Sequence, residues 1–252
     1  QYNFIKLTYR LLLILSGIQY SSHGYSQTEF IIHDTLFLED YDEVKQDLFL
    51  KKDSLFFEDE SYSVRRSCSG EFGGSVWFKS KASGIEYSSS AICPVVINKL
   101  NGKYYVTASL AHLMGITEVI EIVHPDSMEV FKKPAPAGRK GKQEIYRVGD
   151  LESRSRAGTK TLLDSAGVLI VLSFPYEKEL FHIVSTYHHT FLCQIKDSQL
   201  VTLDTIAKER LPIDYTQLYK SKNNTVVMLF ESHLSKGYIE IDSNLIGIRR
   251  FE

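Results

Sequence analysis

The sequence predicts an all-β fold, an antiparallel β-meander with propeller-like four-stranded blades, and a β-sandwich is the alternative. Three observations lead to this prediction. Five phrases place an Asp-Ser or Asp-Thr pair between two strand-like runs, a longer unit of strand, turn and strand occurs in three copies, and aromatic residues make up 12% of the chain. Pleated sheets accommodate aromatic and β-branched side chains well, so each observation favours strands over helices.

The Asp-Ser and Asp-Thr phrases are typical of β-hairpins. Short Asp and Ser side chains accept hydrogen bonds from backbone N–H groups just ahead of them and stabilise turns, while the flanking residues suit half-buried strands. The pairs begin at Asp34, Asp53, Asp126, Asp197 and Asp242. We expect Asp126, Asp197 and Asp242 each to lie in a β-turn between antiparallel strands, with the carboxylate accepting a backbone N–H within two or three residues.

The longer unit offers four strand candidates and closes its second strand with a histidine. Its copies begin PVVINKLNGKYYVTASLAH, VLIVLSFPYEKELFHIVSTYHH and LYKSKNNTVVMLFESH. The Asn101-Gly102 and Asn223-Asn224 pairs tolerate the positive φ that tight hairpin turns require. With the acidic segment and the Trp77 hairpin counted as divergent blades, the chain has about four or five blades, and a closed propeller has about four to eight. A sandwich or an incomplete propeller therefore stays open as an alternative.

The N-terminus has the composition of a secretory signal peptide. Lys6 and Arg10 precede an apolar run at 11–18, and small polar residues follow it as far as Ser26. The run is well short of the ~20 residues that a helix needs to span a bilayer, so no membrane span is predicted. We expect residues 1–26 to be removed and the protein to be secreted or periplasmic; a buried or amphipathic first helix is the alternative.

Export changes the interpretation of the three cysteines, because disulfides persist in oxidising compartments. Cys68 and Cys93 bracket a Gly-rich hairpin candidate and form the predicted disulfide. Cys193 lies in the strand-like run FLCQI and is expected to be a reduced, buried residue. No Cys-x-x-Cys or Cys/His spacing indicates structural zinc.

Charged segments and the positions of Pro and Gly divide the rest of the chain. Residues 27–66 form an acidic N-terminal β segment, and residues 67–252 form the propeller-like domain, with a basic loop insertion at about 132–165. A flexible insertion is the favoured interpretation of that loop, and a polyanion-binding loop is the alternative. The 29 Lys and Arg residues nearly balance the 31 Asp and Glu residues, so a nucleic-acid partner is not expected.

One stretch carries a resemblance to other proteins. It contains GGSVWF around Trp77, then Cys93-Pro94, then YYVTASLAH. This pattern resembles that of secreted, uncharacterised proteins of propeller-like architecture, which carry a GGSVWF-type strand followed by CP and a YYVT-x-S-x-x-H strand. The resemblance covers about residues 68–130. It implies export and a β-rich fold, and it implies no activity.

The histidines that close the repeated unit are the candidate site residues. His112, His189 and His233 end equivalent strands, and rotation about a common axis would bring the three imidazoles together as ligands for Zn or Mn. The alternative is a structural strand-end histidine that bonds a neighbouring Ser or Thr, and its recurrence in every copy favours this interpretation. No G-x-S-x-G elbow, phosphate loop, dinucleotide fingerprint or H-E-x-x-H motif is present.

The sequence therefore predicts a secreted β-rich binding module that takes a glycan or a surface protein as its ligand and needs no cofactor. Aromatic residues and turn loops on a rigid β scaffold suit both kinds of ligand. The alternative is a metal-dependent carbohydrate-active enzyme with a His-lined site, in which Zn or Mn binds His112, His189 and His233 and Tyr187 is the general base or acid.

Overall fold

A computed structural model describes residues 30–38, 41–42, 56–69, 73–211, 213–220, 226–231 and 235–251, with backbone alone for 213–220. The predicted all-β class is confirmed, because the chain folds into several antiparallel sheets. Within the described ranges no helix is long and apolar enough to cross a membrane. The predicted signal peptide at 1–26, the Asp53 phrase, the Asn223-Asn224 turn and His233 lie outside the described residues.

The strands are numbered in chain order. They are β1 (Ile31–Phe37), β2 (Phe57–Glu58), β3 (Tyr62–Arg66), β4 (Ser75–Ser80), β5 (Glu86–Ser90), β6 (Pro94–Leu100), β7 (Lys103–Leu110), β8 (Ile116–Ile122), β9 (Glu129–Val130), β10 (Gly138–Lys140), β11 (Gln143–Ile145), β12 (Thr159–Ala166), β13 (Leu169–Tyr176), β14 (Glu179–Ser185), β15 (Thr190–Lys196), β16 (Gln199–Ala207), β17 (Ile213–Lys220), β18 (Val226–Glu231), β19 (Lys236–Asp242) and β20 (Leu245–Phe251).

Four larger sheets follow one another along the chain. Sheet I has the order β2-β3-β4-β5-β9, sheet II β6-β7-β8-β12, sheet III β13-β14-β15-β16, and sheet IV β17-β18-β19-β20-β1. Strands β10 and β11 form a separate hairpin. Neighbouring strands pair antiparallel except β1, which runs parallel to β20 and joins the N-terminal segment to the end of the chain.

Each sheet packs its apolar face against the next sheet in order. Val76 and Phe78 of sheet I share a buried cluster with residues of sheet II. The opposite face of sheet II contributes Val119 to a cluster with Ile170 of sheet III. The remaining face of sheet III joins sheet IV in the largest cluster, which includes Phe230. Sheets II and III are thus apolar on both faces, as buried sheets require.

The sheets do not close into a barrel or a propeller. The outer face of sheet IV, which includes Phe37 of β1, packs against Tyr41 instead of another sheet. On the outer face of sheet I, the Arg65 guanidinium covers the buried Trp77 ring at 3.8 Å, and Phe131 lies edge-on to that ring. No hydrophobic cluster of the described residues joins sheets I and IV, so the propeller-like arrangement of the blades stays a prediction.

The hairpin prediction is confirmed at two of the Asp phrases. Asp197 and Ser198 have φ of 50° and 60° between β15 and β16, and Ser243 has φ of 56° between β19 and β20. The predicted hydrogen bond from a backbone N–H to the Asp carboxylate is wrong for both turns. Asp242 accepts a hydrogen bond from the Ser243 hydroxyl, not from a backbone N–H, and no described residue donates one to Asp197. Backbone dihedral preference, not an Asp cap, therefore makes these turns.

The other two described phrases are not hairpins. Asp126 lies in a 3-10 turn, Pro125–Ser127, after which β9 pairs with β5 of sheet I and not with β8. Pro125 starts that turn because its fixed φ suits the first helical position. Asp34 lies inside β1 opposite Ile248 and accepts a hydrogen bond from Arg250 at 2.7 Å. By contrast, the Asn101-Gly102 turn has the predicted positive φ values, 51° and 76°.

The basic segment at about 132–165 is not a loop throughout. It supplies the β10–β11 hairpin and most of β12, the outer strand of sheet II. Its Glu152 accepts hydrogen bonds from the hydroxyls of Ser67 and Ser69. Arg156 donates at 2.7 Å to the buried carboxylate of Glu118. These contacts hold the segment against sheets I and II.

A disulfide joins Cys68, after β3, to Cys93, before β6, with the two Cα atoms 4.6 Å apart. It connects sheets I and II where the chain passes between them. Cys193 is a free, buried thiol. Burial raises the pKa of Cys193, and the hydrogen bond with Thr202 acts weakly in the opposite direction.

Candidate functional site

Four loops that follow strands of sheets II and III meet at one end of the stack and enclose a cleft, named here the loop cleft. The loops follow β7, β12, β14 and β16. The lining residues are Ala111, Leu113, Met114, Gly115, Gly167, Val168, Leu169, Ser185, Thr186, Tyr187 and Arg210. The cleft encloses about 140 Å³.

The first two loops are fixed to each other by their backbones. Gly115 donates to the carbonyl of His112 at 2.9 Å, and Gly167 donates to the carbonyl of Gly115 at 2.9 Å. Gly115 has a φ of 85°, and a Cβ there would lie 2.9 Å from the Leu169 side chain. Glycine adopts this φ without a Cβ penalty, and any other residue would also require the Leu169 side chain to shift.

The other two loops are fixed by threonine hydroxyls. Thr186 closes its turn by donating to the carbonyl of His189 and accepting from the His189 N–H, at 3.0 and 3.1 Å. Thr190, at the start of β15, donates to the Glu209 carbonyl at 3.0 Å and accepts from the Leu211 N–H at 3.2 Å. Short Thr side chains thus hold both loops in one conformation.

Two apolar side chains extend from the first loop into solvent. Leu113 is 87% exposed and Met114 is 60% exposed. Leu113 also has a φ of 54°, a conformation that is unfavourable for any residue with a Cβ and costs roughly 1–2 kcal/mol. Leu113 takes this φ at the second position of the turn that the Gly115 N–H closes to the His112 carbonyl, and its exposed side chain adds nothing to the core. Such positions cluster at ligand clamps and other functional sites.

Tyr187 connects the apolar loop to a cation. Its hydroxyl donates to the carbonyl of Leu113 at 3.4 Å. The Arg210 guanidinium lies 5.7 Å from the centre of its ring, within range of a cation–π interaction. Arg210 has no ion pair within the described part of the chain. The cleft therefore presents apolar surface on one side and an unneutralised positive charge on the other.

The structure brings two of the predicted histidine loops together at the cleft. His112 lies between the lining residues Ala111 and Leu113, and His189 follows Tyr187 in the facing loop, stacked on Phe191. Both are exposed. His233 lies outside the described residues, and among the described ones no three His, Cys, Asp or Glu side chains are grouped to hold a metal ion.

The lining of the cleft is apolar, hydroxyl-bearing and cationic. None of the lining residues is a carboxylate, a cysteine or a histidine. The volume of about 140 Å³ is below the roughly 300–1,000 Å³ typical of small-molecule sites. A space of this size accommodates a single side chain.

A buried polar network lies between sheets II and III, behind the cleft. Ser173 contacts His182 Nδ1 at 2.7 Å and Thr107 Oγ1 at 2.7 Å. All three residues are buried, so a substrate has no access to this Ser–His pair. Burial lowers the pKa of His182 to about 3, which keeps the imidazole neutral. The network joins two sheets by neutral hydrogen bonds.

A second polar cluster joins sheets I and II. Asp59 Oδ2 accepts from Lys99 Nζ and from the Tyr104 hydroxyl, both at 2.6 Å. Burial alone would raise the pKa of Asp59, but hydrogen bonds from Lys99, Tyr104 and the backbone of 61–62 together lower it to about 2. Burial, with the bond to Asp59, raises the pKa of Tyr104 to about 12. Every group already has a protein partner, so the cluster is structural.

No protein-family model, curated protein or solved structure matches this chain. The resemblance to secreted propeller-like proteins accordingly stays a prediction.

Tyr187 and the two histidine loops were predicted from the sequence, whereas Leu113, Met114 and Arg210 were not. The one sequence signal for an apolar loop was the pair Leu113-Met114 followed by Gly115. It was ambiguous, because an apolar run that ends in glycine is equally typical of the end of a strand. Arg210 is distant from the other cleft residues in the sequence, and only the packing of sheet III brings its loop to Tyr187.

Proposed function

We propose that this protein is a secreted or periplasmic binding module that anchors one side chain of a macromolecular ligand, a glycan or a surface protein, in the loop cleft. The observation that carries the proposal is Leu113, an apolar residue that is 87% exposed in a strained backbone conformation. Strained backbone conformations are common at ligand clamps, and at Leu113 the positive φ is combined with an exposed apolar side chain.

The scaffold supports a binding role. Glycine and threonine contacts hold the cleft loops rigidly on stacked sheets, so binding a ligand does not require the loops to be ordered first. Preorganised loops lose less conformational entropy on association, which increases affinity for a given contact area. None of the residues that line the cleft is a carboxylate or a histidine, and this supports the binding module over the metal-dependent enzyme.

The experiment is a paired screen of the purified protein against a random heptapeptide display library and a glycan array. The test variant is the double substitution Leu113→Ala with Met114→Ala. The matched control replaces Val148, which is 72% exposed and lies outside the cleft, with Ala. We expect binders in at least one screen, a loss of affinity of tenfold or more in the cleft variant, and unchanged affinity in the control.

Two results would contradict the proposal. One is a complete absence of binders from both screens, and the other is equal binding by the cleft variant. Metal analysis of the same preparation tests the enzyme alternative, because near-stoichiometric Zn or Mn would favour a His-lined metal site over a binding cleft.

A further inference from the structure

We propose that the β10–β11 hairpin and the residues around it form a second binding surface, which attaches the protein peripherally to an anionic lipid bilayer. The surface comprises residues 132–158, between β9 and β12, and is named here the basic surface. It is separate from the loop cleft, because none of its residues lines the cleft.

The basic surface carries positive charge that the protein does not neutralise. It contains eight Lys and Arg residues and three acidic residues. Each acid already accepts a hydrogen bond within the protein; these acids are Glu144, Asp150 and Glu152. Five exposed cations of the basic surface have no ion pair with any described residue, namely Lys132, Lys140, Lys142, Arg147 and Arg154. Clusters of this kind attract anionic surfaces.

One face of the hairpin is occupied by contacts within the protein. Residues that lie opposite each other in an antiparallel pair project from the same face, and Arg139 lies opposite Glu144. The Glu144 carboxylate accepts from Lys133 Nζ at 2.6 Å and from the Tyr146 hydroxyl at 2.7 Å. These contacts brace the hairpin against the chain that precedes and follows it.

The other face of the hairpin is free. Lys140 lies opposite Gln143 and Ile145 lies opposite Gly138, so a cation and an apolar side chain project from the same face. Lys142 lies in the two-residue turn next to Lys140. The hairpin pairs with no other strand in the described part of the chain, so this face is open to a partner.

The apolar side chains favour a bilayer over a soluble polyanion. Ile145 is 46% exposed and Val148 is 72% exposed, close in the chain to the unpaired lysines. At a bilayer surface, apolar side chains enter the boundary between headgroups and acyl chains while basic side chains reach the anionic headgroups. An acidic polysaccharide would neutralise the same cations but offers Ile145 and Val148 no apolar layer to enter.

The remaining residues of the basic surface disfavour a nucleic acid or a protein as the partner. Single-stranded nucleic acids stack their bases on exposed aromatic rings. The one aromatic residue of the basic surface, Tyr146, is half-buried, and Lys133 lies over its ring at 5.0 Å. Lysine is depleted at the core of protein–protein interfaces, and three of the five unpaired cations are lysines. A fluid bilayer adapts to flexible lysines and requires no pocket.

Vesicle co-sedimentation tests the proposal with phosphatidylcholine alone and with phosphatidylcholine mixed with phosphatidylglycerol. We expect binding to the anionic vesicles only. Binding should weaken as salt rises from about 0.1 M to about 1 M, because the Debye length falls from ~10 Å to ~3 Å. The double substitution Lys140→Gln with Lys142→Gln should weaken binding about tenfold or more, since each basic residue near an anionic surface contributes roughly fivefold.

Two further variants serve as controls. Lys178→Gln with Lys208→Gln removes the same charge from exposed positions outside the basic surface and should bind vesicles as the wild type does. The cleft variant, Leu113→Ala with Met114→Ala, should also bind vesicles normally. Thermal unfolding at an unchanged temperature establishes that each variant is folded.

Ile145→Ser distinguishes a bilayer from a soluble polyanion. The substitution should weaken binding to anionic vesicles roughly threefold or more, because less apolar surface is buried. Binding to polyglucuronate or to a single-stranded oligonucleotide, both purely charge-driven at this surface, should not change.

Several results would overturn the proposal and leave the loop cleft as proposed, because the peptide and glycan screens are separate measurements. They are a lack of binding to anionic vesicles, equal binding by the Lys140–Lys142 variant, and an equal loss in either control variant. Polyglucuronate or the oligonucleotide binding more tightly than the vesicles, with no effect of Ile145→Ser on any of them, would replace the bilayer with a soluble polyanion.

Discussion

The Tyr187 hydroxyl donates a hydrogen bond to the carbonyl oxygen of Leu113, and this bond joins loops of sheets II and III that are 74 residues apart in the chain. The donor–acceptor distance is 3.4 Å, near the long limit for such a bond. The bond positions the exposed Leu113 side chain relative to Arg210, so it couples the apolar and cationic halves of the cleft.

Removing that hydroxyl should loosen the loop without unfolding the protein. In Tyr187→Phe, we expect the free energy of unfolding to change by less than about 0.5 kcal/mol, because a long, exposed hydrogen bond contributes little. Backbone amides at 113–115 should exchange with solvent faster, since their loop loses one attachment. Hydrogen exchange measured by mass spectrometry tests this, with amides at 101–103 as an internal control. Unchanged exchange at 113–115 would show that the bond does not restrain the loop.

The conformation of Leu113 predicts an unusual order of stabilities. At a φ of 54°, Leu113→Gly should be more stable than Leu113→Ala by about 1 kcal/mol, because glycine adopts this region without a Cβ penalty. At Val148, which is exposed without a positive φ, the order should reverse. Urea unfolding of the four variants measures both differences. Equal stabilities of Leu113→Gly and Leu113→Ala would show that the backbone at position 113 is not strained. Strain would then no longer support a functional role for Leu113.

The sequence predicted the class of the fold better than its arrangement. Alternating apolar residues around Val76 and Phe78 indicate a strand regardless of what packs against it, so the all-β class follows from local pattern. The order of the sheets does not follow from local pattern. Phe131 and Tyr41 cover outer faces that a propeller would pack against other blades. Such capping depends on contacts between residues distant in the chain.

The candidate site was predictable only in part, because local pattern indicates strand ends but not the contacts between residues distant in the chain. The repeated unit placed His112 and His189 at corresponding strand ends, and the two loops that carry them do meet at the cleft. The repeat gave no information on which side chains would project into it. Exposure and a positive φ made Leu113 a candidate, and neither property is encoded by residue type.

The buried His182 predicts a loss of stability in mild acid. Its folded pKa, about 3, lies below its ordinary value of 6.5 because of burial, so protonation favours the unfolded chain. The contribution of the neutral imidazole is complete above pH 6.5 and is lost as pH falls from 6.5 toward 3. The slope should approach roughly 1.4 kcal/mol per pH unit below 6.5.

Urea unfolding of His182→Gln between pH 7 and 5 checks this assignment. Glutamine does not titrate and can still hydrogen-bond Ser173, so its curve should be flatter than that of the wild type. The window stays above the range in which Asp59 titrates, because its pKa is lowered to about 2. His112→Gln, at an exposed position, is the control and should retain the wild-type slope. Parallel curves for wild type and His182→Gln would contradict the assignment.

The cysteines predict a definite thiol count. Without reductant, a thiol reagent should modify no cysteine of the native protein, because Cys193 is buried and burial raises its pKa. After unfolding, one thiol per chain should react. The double substitution Cys68→Ala with Cys93→Ala should lower the free energy of unfolding by about 2–4 kcal/mol, since the disulfide restricts the unfolded chain. Three reactive thiols after unfolding would mean that the disulfide is absent from the purified protein.

The central claim, that the loop cleft is the binding surface, is tested most directly by hydrogen-exchange footprinting of the complex with the tightest selected ligand. We predict slower exchange at 111–115, 186–189 and 208–211, and no change along β16, the exposed edge strand of sheet III. Arg154→Gln should give the same footprint as the wild type. Protection confined to β16 or to the β10–β11 hairpin, with the three cleft loops unchanged, would contradict the claim.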